Sequence, residues 1–289
     1  RSEPKRKRGR PKGSKNKPKA EVVLNPELVR IQSMLNALLL LIRPVLQPVY
    51  LALDGHFGNY PAYWMVKQCG LQLISKLRYD AALCFPFSGE YKGSGPHPKY
   101  GERVDYQHIP DTYLKSSYVE KGVQTCVYQA QLLHPDFPDP LNVVILVKTN
   151  LTTHAWANVI LFSSDLSLSA DQMITYYSLR FQLEFNFRDA KQFWGLEDFM
   201  NVEKTAVTNA ANLSLFMVNV VQLLMSEFRQ TDPNFSVLDL KAHYRGCKYA
   251  TEFIKMLPQK PDPIFITQLF RRISALGCIH GPKSTVSSG

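Results

Sequence analysis

The stretch SADQMITYYSLRFQLEFNFRDAKQFWG, residues 169–195, has the residue spacing of one amphipathic helix. Ser169 and Gln172 form a capping-box pattern at its start, and Gly195 stands where a left-handed C-terminal cap belongs. At about 100° of rotation per residue, one face about 60° wide carries Tyr177, Arg180, Glu184 and Lys191. The neighbouring face is an apolar stripe of Leu179, Leu183, Phe187, Ala190 and Trp194. We therefore predict a single helix that docks on a core through this stripe.

The polar face of this helix has two interpretations. An ordinary one is an ion pair between Arg180 and Glu184, four residues apart, on a solvated surface. However, the full spacing Tyr-x2-Arg-x3-Glu-x6-Lys resembles the signature of bacterial insertion-sequence transposases of the DDE class. The segment GLEDF, residues 195–199, also resembles that family, and the resemblance extends over most of residues 45–225.

This resemblance implies a ribonuclease H-like fold that carries an Asp-Asp-Glu triad. Such an enzyme cuts DNA with two divalent ions held roughly 4 Å apart by carboxylates. By resemblance, Asp54 and Glu184 are the catalytic residues and the ligands of Mg²⁺ or Mn²⁺, which favour carboxylate oxygens. The predicted DNA-binding residues of the signature, which would hold phosphates, are Tyr177, Arg180 and Lys191. Lys76 and Arg78, on one face of a predicted strand, are additional candidates for DNA contact.

The position of Asp54 in the triad is open to two assignments. Asp54 follows an apolar strand at 49–53, and the helix 61–69 and the strand 71–78 come next. That order matches the second half of the implied fold, so Asp54 is assigned as the second aspartate, with the first upstream of Arg1. A fragment without that first aspartate is expected to be inactive alone. The alternative makes Asp54 the first aspartate and Asp165 the second. Asp165, however, lies in a turn before the Ser169 cap, which needs no catalytic role.

The fold class that we expect is α/β, ribonuclease H-like and incomplete at the N-terminus. The catalytic domain spans residues 21–228, with a β-rich insertion at about 80–165 before the helix that bears Glu184. Residues 229–289 form a helical C-terminal region with a flexible tail. Helices are predicted at 26–42, 203–228, 236–257 and 263–276, strands at 122–133, 141–149 and 155–163, and a loop at 88–103.

The basic character of the chain is concentrated at its start. The net charge is +10, and residues 1–20 hold ten of the 34 Lys and Arg residues and one acidic residue. A segment of dense like charge without apolar periodicity is expected to be disordered alone. Within it, Arg8-Gly9-Arg10-Pro11 resembles an AT-hook core, in which Arg8 and Arg10 enter the minor groove of A·T-rich DNA. A generic basic linker or a localisation signal is the alternative.

The remaining composition bears on location and partners. The five cysteines lack C-x-x-C spacing and are odd in number, which favours a reducing cytoplasm over a disulfide framework. No signal peptide is recognisable, and the longest apolar run, around 207–225, is interrupted by Asn and Gln residues. We expect a cytoplasmic, nucleoid-associated protein whose partner is double-stranded DNA, at transposon ends and at the target. By resemblance it is a homodimer on paired ends, with no membrane and no small-molecule substrate.

Two rival hypotheses remain open at this point. One is a catalytically inactive DNA-binding remnant, which is suggested by the missing first aspartate and the basic tail. The other is a structure-specific nuclease on the same fold, which would cut DNA without strand transfer.

Overall fold

The computed structural model describes residues 22–90, 93, 96–259 and 261–280. By contacts between residues, the chain divides into two units, residues 1–180 and residues 181–289. The AT-hook-like residues Arg8 and Arg10 lie outside the described residues. The helices of the first unit are α1 (Pro26–Ile42), α2 (Tyr60–Gln68) and α3 (Ala170–Ser178). Its strands are β1 (Tyr50–Ala52), β2 (Gln72–Leu77), β3 (Cys84–Pro86), β4 (Tyr100–Arg103), β5 (Leu114–Glu120), β6 (Val123–Leu132), β7 (Leu141–Asn150) and β8 (Trp156–Ser163).

The first unit is built on a six-stranded mixed sheet with the order β1-β2-β8-β7-β6-β5. β1 and β2 pair in parallel, and every other neighbouring pair is antiparallel. Parallel neighbours need a crossover, which α2 supplies between β1 and β2. β3 and β4 form a separate two-stranded sheet. The β-rich part of the chain thus joins the same sheet as the strand that precedes Asp54.

The sheet has a hydrophobic core on each face. One face buries Leu73, Ile145 and Phe162 together with residues of α1 and α2. The other face buries Ile74, Val144 and Leu161 against Met173 of α3. Strands buried on both faces read as nearly continuous apolar runs, as in residues 141–147. The sheet and its covering helices therefore fix where the ends of β1, β2 and α3 lie.

Several predicted elements have the expected bounds, and three were missed. α1 begins at Pro26 after the Asn25 cap, whose side chain accepts a hydrogen bond from the amide of Leu28 at 2.8 Å. The predicted loop at 88–103 is wrong at its end, because Tyr100–Arg103 is β4. β3 and β5 were also not predicted. All seven residues of β5 are exposed, so no alternating pattern marks it, and its pairing with β6 makes it a strand.

The prediction of one unbroken helix at 169–195 is wrong. α3 ends at Ser178, a 3₁₀ turn covers Leu179–Phe181, and a new helix, α4, covers Gln182–Trp194. The Ser178 hydroxyl donates to the main-chain oxygen of Thr175 at 2.6 Å, a bond that competes with helix continuation. The predicted apolar stripe is also wrong in part, since Leu179 and Leu183 are 56% and 60% exposed. The Ser169 and Gly195 caps are confirmed.

The second unit consists of α4 with three further helices, α5 (Lys204–Thr231), α6 (Val237–Met256) and α7 (Pro263–Ala275). α5 runs through residue 228 without interruption, and the contact-based division falls at residues 180 and 181, away from the predicted boundary at 228. Phe235 and Leu240 are buried with Val221 and Met225 in the core of this unit. α6 crosses α7 closely at Gly246, where an added Cβ would lie 2.5 Å from the main-chain oxygen of Ile273.

By length and composition α5 qualifies as a possible membrane-spanning helix. The expectation that no apolar segment reaches that length is therefore wrong, despite the Asn residues within it. The core helix of a soluble protein, which is mostly buried, passes the same test, whereas 17% of the apolar segment of α5 is buried. This finding is weak evidence for a membrane.

The five cysteines are free thiols in the described residues. Cys69 is buried, and burial raises the pKa of its thiol. A thiol in such a setting behaves as a small apolar side chain. Cys69 therefore contributes to the core of the first unit.

Candidate functional site

Asp54 lies directly after β1, at the carboxyl end of that strand, and caps a short 3₁₀ turn, Gly55–Phe57. Its carboxylate accepts a hydrogen bond from the amide of Gly55 at 2.6 Å. Its main-chain oxygen accepts a hydrogen bond from the hydroxyl of Ser75, a fully buried residue of β2, at 2.9 Å. The side chain of Asp54 is 60% exposed. The backbone of Asp54 is thus fixed by the sheet while its carboxylate faces solvent.

Two residues of the signature lie beside Asp54 within the first unit. The Nη1 atom of Arg180 is 4.0 Å from Oδ2 of Asp54, and the Arg180 side chain is only 22% exposed. The guanidinium also lies over the ring of Tyr177, with Cζ 5.7 Å from the ring centroid. Burial raises the pKa of the Tyr177 phenol. The positive charge of Arg180 lowers this pKa, and the negative charge of Asp54 raises it further. The structure therefore brings Asp54, Tyr177 and Arg180 together.

Lys76 lies on β2 beside the turn that follows Asp54. The turn after Asp54 packs on β2, and an added Cβ on Gly58 would lie 2.2 Å from the main-chain oxygen of Lys76. A Cβ on Gly55 would lie 3.6 Å and 3.8 Å from Cβ and Cδ of Lys76. At Gly58, only glycine permits this close approach of the loop to the strand. The aliphatic stem of Lys76 therefore runs along the loop that begins at Asp54.

The other predicted DNA contacts have local partners. Arg78, just beyond β2, donates to both carboxylate oxygens of Asp80 at 3.1 Å and 3.2 Å. In the second unit, Lys191 forms an ion pair with Glu197 at 2.6 Å. Glu184 lies exposed in the first turn of α4, the same helix as Lys191. The roles of these residues in binding or catalysis stay predictions.

Asp165 is engaged in a turn. One carboxylate oxygen accepts from the hydroxyl of Tyr50 at 2.6 Å, and the other accepts from the amide and hydroxyl of Ser167 at 2.8 Å and 2.6 Å. The hydrogen bond from Ser167, followed by that from Tyr50, lowers the pKa of Asp165, and the same contact with Asp165 raises the pKa of Tyr50 to about 12. These contacts tie the end of β8 to β1, and they support the structural interpretation of Asp165.

Replacing Tyr50 by Phe removes the hydroxyl that bonds Asp165 and keeps the ring. We expect the free energy of unfolding to fall by about 1–3 kcal/mol, because a partly buried charge-assisted hydrogen bond is lost. Denaturant titration of both proteins measures this difference. Tyr118→Phe, at a half-exposed position of β5, is the matched control and is expected to change stability by less than about 0.5 kcal/mol. Equal stability of the Tyr50→Phe variant and the wild type would contradict the bonded geometry.

The described residues do not assemble the ligand set of a divalent cation. Among the residues described, no group of three His, Cys, Asp or Glu side chains is placed to hold a metal ion. In the first unit, the candidate site supplies the single carboxylate of Asp54 with a guanidinium 4.0 Å away. Hard divalent cations take several oxygen ligands, so this part of the site does not by itself fit the predicted two-metal centre.

Sequence reasoning missed the role of Ser75. It is 0% exposed on β2 and its hydroxyl holds the backbone of Asp54. The sequence carried a signal for this role, since Ser75 is a small polar residue within the mostly apolar segment LQLISKL, residues 71–77. A buried hydroxyl needs a hydrogen-bond partner, and that partner is the carbonyl of the candidate catalytic residue.

A comparison with protein families gives one match. Residues 1–131 match the model of a family described as DDE superfamily endonuclease. The matched part includes Asp54 and Lys76 and ends before Tyr177, Arg180 and Glu184. No match was found among curated proteins. The mixed α/β fold is compatible with a DDE nuclease, and the family match supports an endonuclease of the DDE class that acts on DNA.

Proposed function

We propose that this chain is the catalytic part of an insertion-sequence DNA transposase of the DDE class. The observation that carries the proposal is the packing of Arg180 and Tyr177, two residues of the signature, against Asp54 at the end of β1. The DDE endonuclease match over residues 1–131 supports the same class independently of that signature. The proposed reaction cuts DNA at the element ends and joins the ends to a target.

The proposed roles of the first-unit residues follow from their charges. Arg180 offers a cation beside the carboxylate of Asp54, the stem of Lys76 runs along the following turn, and a guanidinium fork suits a phosphate group. Because Arg180 is mostly buried against Tyr177, its orientation is held before DNA arrives. We propose that these residues position a phosphate of the DNA next to Asp54. In the second unit, Lys191 is proposed to hold a further phosphate and Glu184 to be the third carboxylate of the triad.

Mg²⁺ or Mn²⁺ is the cofactor that we propose, since nucleases of this class typically use divalent metals. Such an ion would supply charge stabilisation to the phosphoryl transfer. The described residues do not complete its ligand set, so the proposed roles above concern only the protein's own side chains. A homodimer on paired ends and a nucleoid-associated location in the cytoplasm belong to the same proposal.

Replacing Arg180 by Met keeps the length of the side chain and removes its charge. We expect the affinity for duplex DNA to fall about tenfold, and the slope of log affinity against log salt to decrease by about one phosphate contact. Fluorescence anisotropy at several salt concentrations measures both quantities. Arg188→Met, which removes an exposed guanidinium paired with Asp189, is the control and should leave both nearly unchanged. An unaltered salt slope in the Arg180 variant would contradict its phosphate contact.

A strand-transfer assay tests the transposase proposal against the nuclease. A fluorescent duplex that carries the DNA flanking the gene, with a free 3′ hydroxyl, is incubated with the full-length protein, Mg²⁺ and a target plasmid. The proposal expects labelled plasmid in which the 3′ end is joined to the target. Cut plasmid without joined label would indicate the structure-specific nuclease and would contradict the proposal.

A DNA-binding remnant is the second candidate function. The observation that favours it is the absence, among the described residues, of a three-residue group that could hold a metal ion. The remnant predicts DNA binding without any strand cleavage, whereas the transposase predicts both.

A further inference from the structure

One face of α6, in the second unit, carries an exposed array of cations and aromatic rings. At about 100° per residue, Lys241, Arg245 and Lys248 fall within about 60° of one another. Tyr244 and Tyr249 flank them on either side and are 48% and 63% exposed. Arg245 and Lys248 are themselves exposed. None of these residues belongs to the candidate site around Asp54.

The opposite face of α6 is fixed in the core of the second unit. Leu240, Gly246 and Ala250 are buried there. An added Cβ on Gly246 would approach the backbone of Ile273 and Ser274 of α7 to 2.5–2.9 Å, so the two helices are in close contact. This packing determines which side of α6 faces solvent, and that side carries Arg245 and Lys248.

Acidic residues do little to neutralise this face. Between residues 240 and 251 α6 contains no Asp or Glu. Glu252 is paired with Lys255 at 2.9 Å, and Asp239 is buried on the other side of the helix. Lys241 donates to the main-chain oxygen of Phe193 at 2.8 Å, which leaves Arg245 and Lys248 as the outer cations. Arg245 and Lys248 therefore face solvent three residues apart, with no acidic residue on α6 between residues 240 and 251.

We propose that this face of α6, defined by Tyr244, Arg245, Lys248 and Tyr249, binds the phosphate backbone of duplex DNA. The inference rests on the proposed function, because that function makes DNA the partner of the chain. Arg and Lys side chains neutralise phosphates, and tyrosine hydroxyls donate to phosphate oxygens. At 1.5 Å per residue, these four side chains span about 7.5 Å along the axis of α6. The proposed contact is independent of base sequence.

The test measures binding of the full chain to a fluorescent 30-base-pair duplex at several salt concentrations. The Arg245→Ala/Lys248→Ala variant is expected to bind about 10–30-fold more weakly at moderate salt, with a salt slope smaller by about two phosphate contacts. The control variant, Lys115→Ala/Lys121→Ala, removes the same charge from exposed positions of the first unit. This control variant is expected to keep the wild-type slope of log affinity against log salt concentration. Circular dichroism of each variant checks that the helices are intact.

The outcomes separate this inference from the proposed function. If the wild type binds and cuts DNA while the Arg245→Ala/Lys248→Ala variant keeps wild-type affinity and slope, the α6 surface is refuted and the function stands. An equal loss in both double variants would also refute it, because the effect would then follow net charge alone. If the wild type binds no DNA, the proposed function fails and this inference fails with it. If the Arg245→Ala/Lys248→Ala variant binds DNA more weakly while Arg245→Lys, which keeps the positive charge, binds as tightly as the wild type, the phosphate contact is supported.

Discussion

Strand cleavage by the Asp54→Asn and Glu184→Gln variants is expected to fall by roughly a thousandfold or more. Each change keeps the size of the side chain and removes its negative charge. A loss of this size corresponds to about 4 kcal/mol of transition-state stabilisation, which is within the range of a group that organises charge at a reacting phosphate. Initial rates of plasmid nicking measure it.

The control for this expectation is a carboxylate that lies outside the candidate site. Asp171 is exposed in the first turn of α3, so Asp171→Asn makes the same chemical change without touching Asp54. We expect this control to cut DNA at close to the wild-type rate. If Asp54→Asn or Glu184→Gln also cuts at that rate, the residue concerned has no catalytic role. A matching loss in Asp171→Asn would show that the effect is not specific.

The largest expected effect on stability is at Asp239, whose side chain is 1% exposed in the second unit. Its carboxylate accepts from the amide and hydroxyl of Ser236 and from the amides of Ile279 and His280. It thereby caps α6 and holds the segment that follows α7. Burial alone would raise the pKa of Asp239, but these hydrogen bonds outweigh burial and hold the pKa well below its usual range.

Asp239→Ala is expected to destabilise the second unit by about 3–5 kcal/mol at neutral pH, because buried donors lose their charged acceptor. A depressed pKa contributes stability that is present above the unfolded value, near 4, and is lost as the pH falls below it. The difference between wild type and variant should therefore shrink below about pH 4. Denaturant unfolding across pH and hydrogen exchange of the amides of Ile279 and His280 measure these effects.

The exposed Glu252 of the same helix provides the comparison. Glu252→Gln is expected to change stability by less than about 0.5 kcal/mol, since its ion pair with Lys255 is solvated. A difference between wild type and Asp239→Ala that stays constant down to pH 2 would contradict the assigned role of the carboxylate.

Local sequence signals predicted the elements that depend on local interactions. α1 has the predicted bounds because the Asn25 cap, Pro26 and an apolar period of three and four residues all act within the helix itself. The strands β6, β7 and β8 were recognisable since their buried faces give apolar patterns. β5 depends on a hydrogen-bonded neighbour rather than on burial, so its sequence carried no comparable signal.

The candidate site was predictable in its chemistry and less so in its geometry. The spacing of Tyr177 and Arg180 singled out both residues, and the end of an apolar strand singled out Asp54. The 3₁₀ turn at Leu179–Phe181 was not predictable, because a continuous helical pattern crosses it. The Ser75 bond to the Asp54 backbone depends on the pairing of β1 with β2, and this pairing is not local.

The most direct test of the central claim is whether the full-length protein that contains this chain cuts DNA in a Mg²⁺-dependent way. Supercoiled plasmid carrying the DNA that flanks the gene is incubated with the protein and Mg²⁺, or with EDTA, and nicked and linear products are measured over time. The transposase assignment predicts cleavage with Mg²⁺ that stops with EDTA. Intact plasmid in both reactions, at protein concentrations that saturate DNA binding, would contradict it and would leave a DNA-binding remnant.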